Sequence, residues 1–201
     1  MSSTLPDAIT AHSLGEVHLY LLATPCPDCG RGPLQGGEGR QVSEPERVLE
    51  LTVPIVCTAC ARKRDLRAVL PRGTGVEGDV VVLNPTDEPS GILDVAQWVT
   101  LFRIITAKAA TTADRAEARR LGLEAAQCLE EALKFYRQDS DLPPPEAFFS
   151  DASRRRMSEH PAEFSRQRLM DLRARLPSTR RMRDQLAERP AATKRRRWFG
   201  R

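Results

Sequence analysis

Aromatic residues make up only 5% of this 201-residue chain, and no apolar run approaches the roughly 20 residues that a membrane-spanning helix needs. The first scarcity weighs against one large core and favours a small metal-stapled unit joined to a helical one. The second rules out a helical membrane span in this sequence. Residues 19–23 (Leu-Tyr-Leu-Leu-Ala) are too few for a signal-peptide core, and no positive charge precedes them. These absences lead us to expect a soluble, cytoplasmic protein. In such a reducing compartment, paired cysteines hold metal more often than they form disulfides.

Catalytic equipment is scarce as well. His12, His18 and His160 are the only histidines, and none stands at metal-ligand spacing from another His, Asp or Glu. The chain contains no nucleophile elbow, no Gly-Lys-Ser/Thr phosphate cradle and no dinucleotide fingerprint. The Gly36-Gly37-Glu38-Gly39 run lacks the strand-to-helix context that such fingerprints require. Glu130 and Glu131 are adjacent, so on a helix they point in different directions and are expected on a solvated face. The expectation is a protein that is not an enzyme.

The chain is rich in paired cysteines. Cys26-Pro27-Asp28-Cys29 and Cys57-Thr58-Ala59-Cys60 each place two residues between two thiols, with 27 residues between the pairs. A two-residue gap lets both thiolates of a tight bend point at one ion, and two such bends supply a tetrahedral shell. Pro27 fixes φ just after the first thiol, and Gly30 suits a left-handed residue just after the second. A disulfide, a thiol redox couple, a rubredoxin-type iron centre and a zinc site all use such pairs, and ligand type alone does not separate zinc from iron. With four protein ligands no coordination position is left for water or substrate, so a metal held here is structural. Cys128 stands alone on an apolar helix face and reads as a core residue.

The stretch Cys26-Pro27-Asp28-Cys29-Gly30, with Cys57-Thr58-Ala59-Cys60, resembles the zinc-ribbon superfamily over about residues 16–83. The resemblance implies two knuckles on β-hairpins clamping one structural Zn2+, with Cys26, Cys29, Cys57 and Cys60 as ligands. Ala61 departs from that pattern, because a glycine often follows the second knuckle.

The flanking periodicity predicts an α+β fold: a small antiparallel β zinc ribbon (residues 1–91), a helical hairpin (92–150) and a basic, partly disordered helical C-terminal region (151–201). Strands are expected at 16–23, at 48–56 with Leu49, Leu51, Val53 and Ile55 on one face, at 66–70 and at 79–83. Pro54 in the second implies an edge or a local break. Residues 31–47 read as a flexible loop. Asp94 is expected to cap one helix, and Thr111 or Thr112 a second reaching about residue 137. Further helical segments are expected at 145–157, 161–176 and 178–189.

Charge is unevenly distributed. Residues 151–201 carry 16 Lys+Arg against 6 Asp+Glu, whereas residues 1–150 carry 15 against 21. Arginine outnumbers lysine fifteen to one in the basic part, and guanidinium groups pair bidentately with phosphate. Arg154, Arg155, Arg156, Lys194, Arg195, Arg196 and Arg197 are therefore candidate nucleic-acid contacts, with Trp198 available to stack on bases. The expected partner is a nucleic acid or a nucleoprotein complex. The competing readings are a protein–protein adaptor docking through the ribbon and hairpin, an anionic membrane surface, and a thiol redox protein.

Overall fold

A computed structural model describes residues 5–43, 48–71 and 82–180 of the chain. In order, it comprises β1 (Ala8–Thr10), α1 (Leu14–Ala23), β2 (Leu34–Gly36), β3 (Arg40–Ser43), β4 (Val48–Cys57), β5 (Lys63–Pro71), α2 (Val95–Thr111), α3 (Arg115–Leu133), α4 (Asp151–Glu159) and α5 (Arg166–Ala174). Short 3-10 turns, Pro145–Ala147 and Pro161–Phe164, precede α4 and α5. Among the described residues the architecture is mixed α+β, with one sheet and five α-helices.

The first predicted strand is a helix. Residues 16–23 alternate, but Val17, Tyr20 and Leu21 also share one helical face, and all three are buried. The N-terminus decides the outcome. The Ser13 hydroxyl accepts the Glu16 amide (3.1 Å) and donates to the Leu83 carbonyl (2.7 Å), so it satisfies an orphan helix donor. Ser13-Leu14-Gly15-Glu16 is the Ser-x-x-Glu pattern of a capping box. Here the Glu16 carboxylate reaches one residue further back, to the His12 amide.

β4 and β5 form a long antiparallel hairpin, Val48 pairing with Pro71 and Val56 with Lys63. Leu51, Val53, Ile55, Leu66, Ala68 and Leu70 are all buried, as period-two alternation requires. β2 and β3 both pair with β4 on its other side, although residues 31–47 read as a loop. Pro54 falls in the gap between them: β2 ends opposite Ile55 and β3 begins opposite Thr52. Its missing N–H therefore breaks no ladder, and its carbonyl accepts the Gly37 amide at 2.7 Å. β1 runs parallel to β5, Ile9 opposite Ala68, so the sheet is mixed rather than purely antiparallel. The strand expected at 79–83 lies largely outside the described residues, and Leu83 belongs to no strand.

Asp94 caps α2 with a full capping box, accepting the Gln97 amide at 2.8 Å while the Gln97 side chain accepts the Asp94 amide at 3.0 Å. α3 begins later than expected and ends earlier. Asp114, not a threonine, accepts the amides of Ala116 (2.7 Å) and Glu117 (3.3 Å). A three-residue link brings α2 and α3 side by side. Ser150 and Ser165 cap α4 and α5. One buried cluster runs from Ile9 through Trp98, Cys128 and Leu129 to Phe164 and Leu169. Cys128 is fully enclosed in it, as its apolar helix face implied. The expected helix at 178–189 and the tail after it fall almost wholly outside the described residues.

Candidate metal centre

The four paired cysteines meet at one point. The first pair follows α1 directly and leads into β2, and the second closes the β4–β5 hairpin. Only the second knuckle therefore sits on a β-hairpin, because the chain that delivers the first is a helix. The two bends nevertheless repeat one backbone pattern. In the first, the Gly30 amide donates to the Cys26 carbonyl (2.8 Å) and the Cys26 amide to the Arg31 carbonyl (2.6 Å). In the second, the Ala61 amide donates to the Cys57 carbonyl (2.9 Å) and the Cys57 amide to the Arg62 carbonyl (2.9 Å). Gly30 has φ of +67° and Ala61 of +59°. The alanine thus adopts the left-handed conformation that the glycine adopts in the first knuckle, at a steric cost that glycine escapes.

All four sulfur atoms lie within 4.8 Å of one another, and none is in a disulfide. Cys26 Sγ is 3.8 Å from Cys60 Sγ, and Cys29 Sγ is 3.7 Å from Cys57 Sγ. A tetrahedron with the ~2.3 Å arms of a zinc–thiolate site has edges of about 3.8 Å. The donor set therefore fits a tetrahedral thiophilic metal, in number, type and spacing. Cys26 and Cys57 are buried, while Cys29 and Cys60 are partly open to solvent.

The thiols also act on one another. Burial pushes the Cys57 thiol up, but the amides of Cys60 and Ala59 and the neighbouring thiols outweigh it and bring it down to about 7. For Cys60 the Arg62 amide favours the thiolate, yet burial and the thiols of Cys57, Cys29 and Cys26 push it up to about 12. Four thiolates at this spacing repel, so full ionisation calls for a cation among them.

Contacts that no local motif announced hold the knuckles together. Arg64 at the start of β5 grips Asp28 of the first knuckle, Nε to Oδ2 at 3.1 Å and Nη2 to Oδ1 at 2.6 Å. This bidentate pair holds the Asp28 carboxyl below its ordinary value. The Thr58 amide and hydroxyl both donate to the Pro33 carbonyl, at 3.1 and 3.0 Å.

The arginine triplet is mostly engaged within the fold. Arg154 donates to the Phe148 carbonyl (2.8 Å) and to Asp151 (2.7 Å). Arg156 donates to Thr100 Oγ1 (2.7 Å) and Glu163 (2.9 Å), with its guanidinium 5.4 Å from the Phe164 ring centre. Arg155 is exposed. Lys194, Arg195, Arg196, Arg197 and Trp198 lie outside the described residues.

A buried polar cluster escaped sequence reading. Glu131, expected on a solvated face, is only 2% exposed and bonds Lys134 (2.7 Å) and Asn84 (3.0 Å). Glu130 pairs with Arg173 and Thr179 across the α3–α5 contact. The face that both glutamates were expected to show to water is covered by the 84–90 loop on one side and by α5 on the other. His160 caps no helix with its side chain.

Comparison with known proteins finds no matching family model, no similar curated protein and no similar solved structure. Among the described residues no helix is long and apolar enough to cross a membrane.

Proposed function

We propose that the four cysteines hold one structural zinc ion and that the protein is a non-enzymatic binding protein whose target is nucleic acid or a nucleoprotein complex. The observation that carries the metal reading is the set of four sulfurs with two separations matching tetrahedral thiolate edges. Zinc suits four thiolates without redox chemistry, and a site filled by protein has no open position for substrate. Elemental analysis of the purified chain tests this: one zinc per chain is expected. Iron would overturn the choice of metal, and rapid alkylation of Cys57 in metal-loaded protein would favour redox chemistry.

The nucleic-acid reading draws on the excess of cations after residue 150. Because Arg154 and Arg156 are engaged inside the fold, the reading turns on Arg155 and on the basic run from Lys194 to Arg197, with Trp198 beside it. Anisotropy of a labelled single strand, followed against salt, tests it. Replacing Lys194, Arg195, Arg196 and Arg197 by serine should weaken binding and flatten the salt slope by about one for each phosphate no longer neutralised. Undetectable binding at low salt, or unchanged binding in that variant, would remove nucleic acid as the partner. Deleting residues 151–201 is the wrong test, since Phe164 and Leu169 are fully buried.

A further inference from the structure

A cleft of about 890 Å3 opens between α1, α2, α3 and the Gly36–Gly39 turn, and no cysteine lines it. Its volume falls in the range of small-molecule sites, roughly 300–1,000 Å3. Its accessible apolar lining comes from Leu14 and Leu22 of α1, Ile104 of α2 and Leu123 of α3. Ile104 is 44% exposed, the one large hydrophobic side chain of α2 left so open. A Cβ at Gly36 would meet Leu21 Cδ1 at 3.0 Å and Val53 Cγ1 at 3.3 Å, so glycine lets α1 approach the sheet and shape the floor.

Basic side chains from three helices meet at the rim, together with the Glu38 and Glu124 carboxylates. His18 of α1, Lys108 of α2 and Arg120 of α3 all line the cleft and all act on the Glu124 carboxylate. Arg120 is already shared between Glu117 (2.7 Å) and Glu124 (3.4 Å). Among the described residues, the Lys108 ammonium has no hydrogen-bond or ion-pair partner. Burial leads the effects that raise Glu124, while Lys108 and Arg120 beside it are exposed.

We propose that the cleft binds a single-chain amphiphile, a long-chain carboxylate, with its chain along Leu22, Ile104 and Leu123 and its head group at Lys108. The apolar walls account for the chain. One unpaired ammonium at the edge of an apolar trough complements a single anionic head. The site is independent of the metal centre and of the arginine-rich tail.

The test is titration of the full-length protein with the fluorescent carboxylate cis-parinaric acid, followed by competition with laurate and with 1-dodecanol. Saturable one-to-one binding is expected, with laurate the better competitor. Ile104→Glu should weaken parinarate at least tenfold. Lys108→Glu should abolish the preference for laurate over the alcohol while leaving the alcohol's affinity within about twofold. Both side chains face solvent, and circular dichroism with metal content confirms the fold of each variant. Three results would overturn the proposal: no saturable binding to the folded protein, parinarate affinity unchanged by Ile104→Glu, or equal loss of acid and alcohol in Lys108→Glu. Association with phosphatidylglycerol vesicles without affinity for free laurate would likewise replace it by a membrane surface.

Discussion

Exchanging the residues that end the two knuckles should move stability in opposite directions. Ala61 has φ of +59° and Gly30 of +67°. A non-glycine residue in left-handed backbone costs about 1–2 kcal/mol. Glycine there avoids that cost but loses about 0.4–1 kcal/mol through the freer unfolded chain. Ala61 is exposed, so no packing is forfeited. Ala61→Gly should therefore stabilise the metal-loaded protein by about 0.5–1 kcal/mol. A Cβ at Gly30 would meet nothing within 4 Å, so Gly30→Ala should destabilise by a similar amount, and the double exchange should be close to neutral. Because metal binding and folding are linked, the same difference should appear as about two- to fivefold in zinc affinity, at 1.4 kcal/mol per tenfold. Urea unfolding and competition with a chromophoric chelator read both quantities. Ala59→Gly, at an exposed position whose φ is not left-handed, serves as the control and should destabilise. If Ala61→Gly proved no better than Ala59→Gly, the left-handed backbone assigned to Ala61 would be wrong.

Three further predictions concern the metal, the core and a buried carboxyl. Cys29→Ser should drop bound zinc well below one per chain. Acidification should release the ion from the unaltered protein, because protons compete for thiolates and affinity falls as pH falls; chelator absorbance against pH checks the sign. Phe164→Ala should cost about 3–5 kcal/mol, since the ring is fully buried, meets Phe148 edge-on at 5.3 Å and supports Arg156; a loss under about 1 kcal/mol in urea would detach this segment from the core. Glu131 is raised by burial, with Lys134 and Asn84 opposing, so the folded state binds the extra proton above the unfolded value of about 4.3. Its contribution to stability is then greatest at low pH and declines as pH rises beyond that value. Melting temperatures of Glu131→Gln and the unaltered protein should diverge in the variant's favour across this window, and divergence in the opposite direction would refute the burial argument.

Local chemistry was legible in the sequence and tertiary chemistry was not. The cysteine pairs could be read because two ligands three positions apart are a property of the bend itself. The Asp94 cap could be read because its partner, Gln97, is three residues away. The β4 face followed from alternation, and the break at Pro54 from its missing N–H. Residues 16–23 satisfied both periods, and Ser13 with Glu16, at the start of that stretch, held the deciding signal. β2 and β3 were hidden because short, glycine-flanked segments owe their strand conformation to pairing with β4. Glu131 and Arg156 were misjudged as surface charges for the same reason: their partners lie in other elements, at Asn84 and Thr100.

The metal reading also bears on where a nucleic acid would bind. Arg31, Arg62 and Lys63 are exposed around the knuckles and would form a basic patch if the cysteines were neutral thiols. Four thiolates around a divalent ion leave that centre two charges negative. Of the two carboxylates nearby, Asp28 is already matched by Arg64, so the remaining cations face the thiolates' own charge together with Asp65. The knuckle end of a zinc-loaded protein is then close to neutral and a poor phosphate surface. The cation excess stays at the opposite end of the sequence. Removing the metal should expose the patch and strengthen binding at the knuckles only in a form whose fold is already weakened. A clear loss of nucleic-acid affinity in the zinc-loaded protein after Arg62→Gln would contradict this charge balance. Unchanged affinity of the zinc-loaded protein after Arg62→Gln would agree with it.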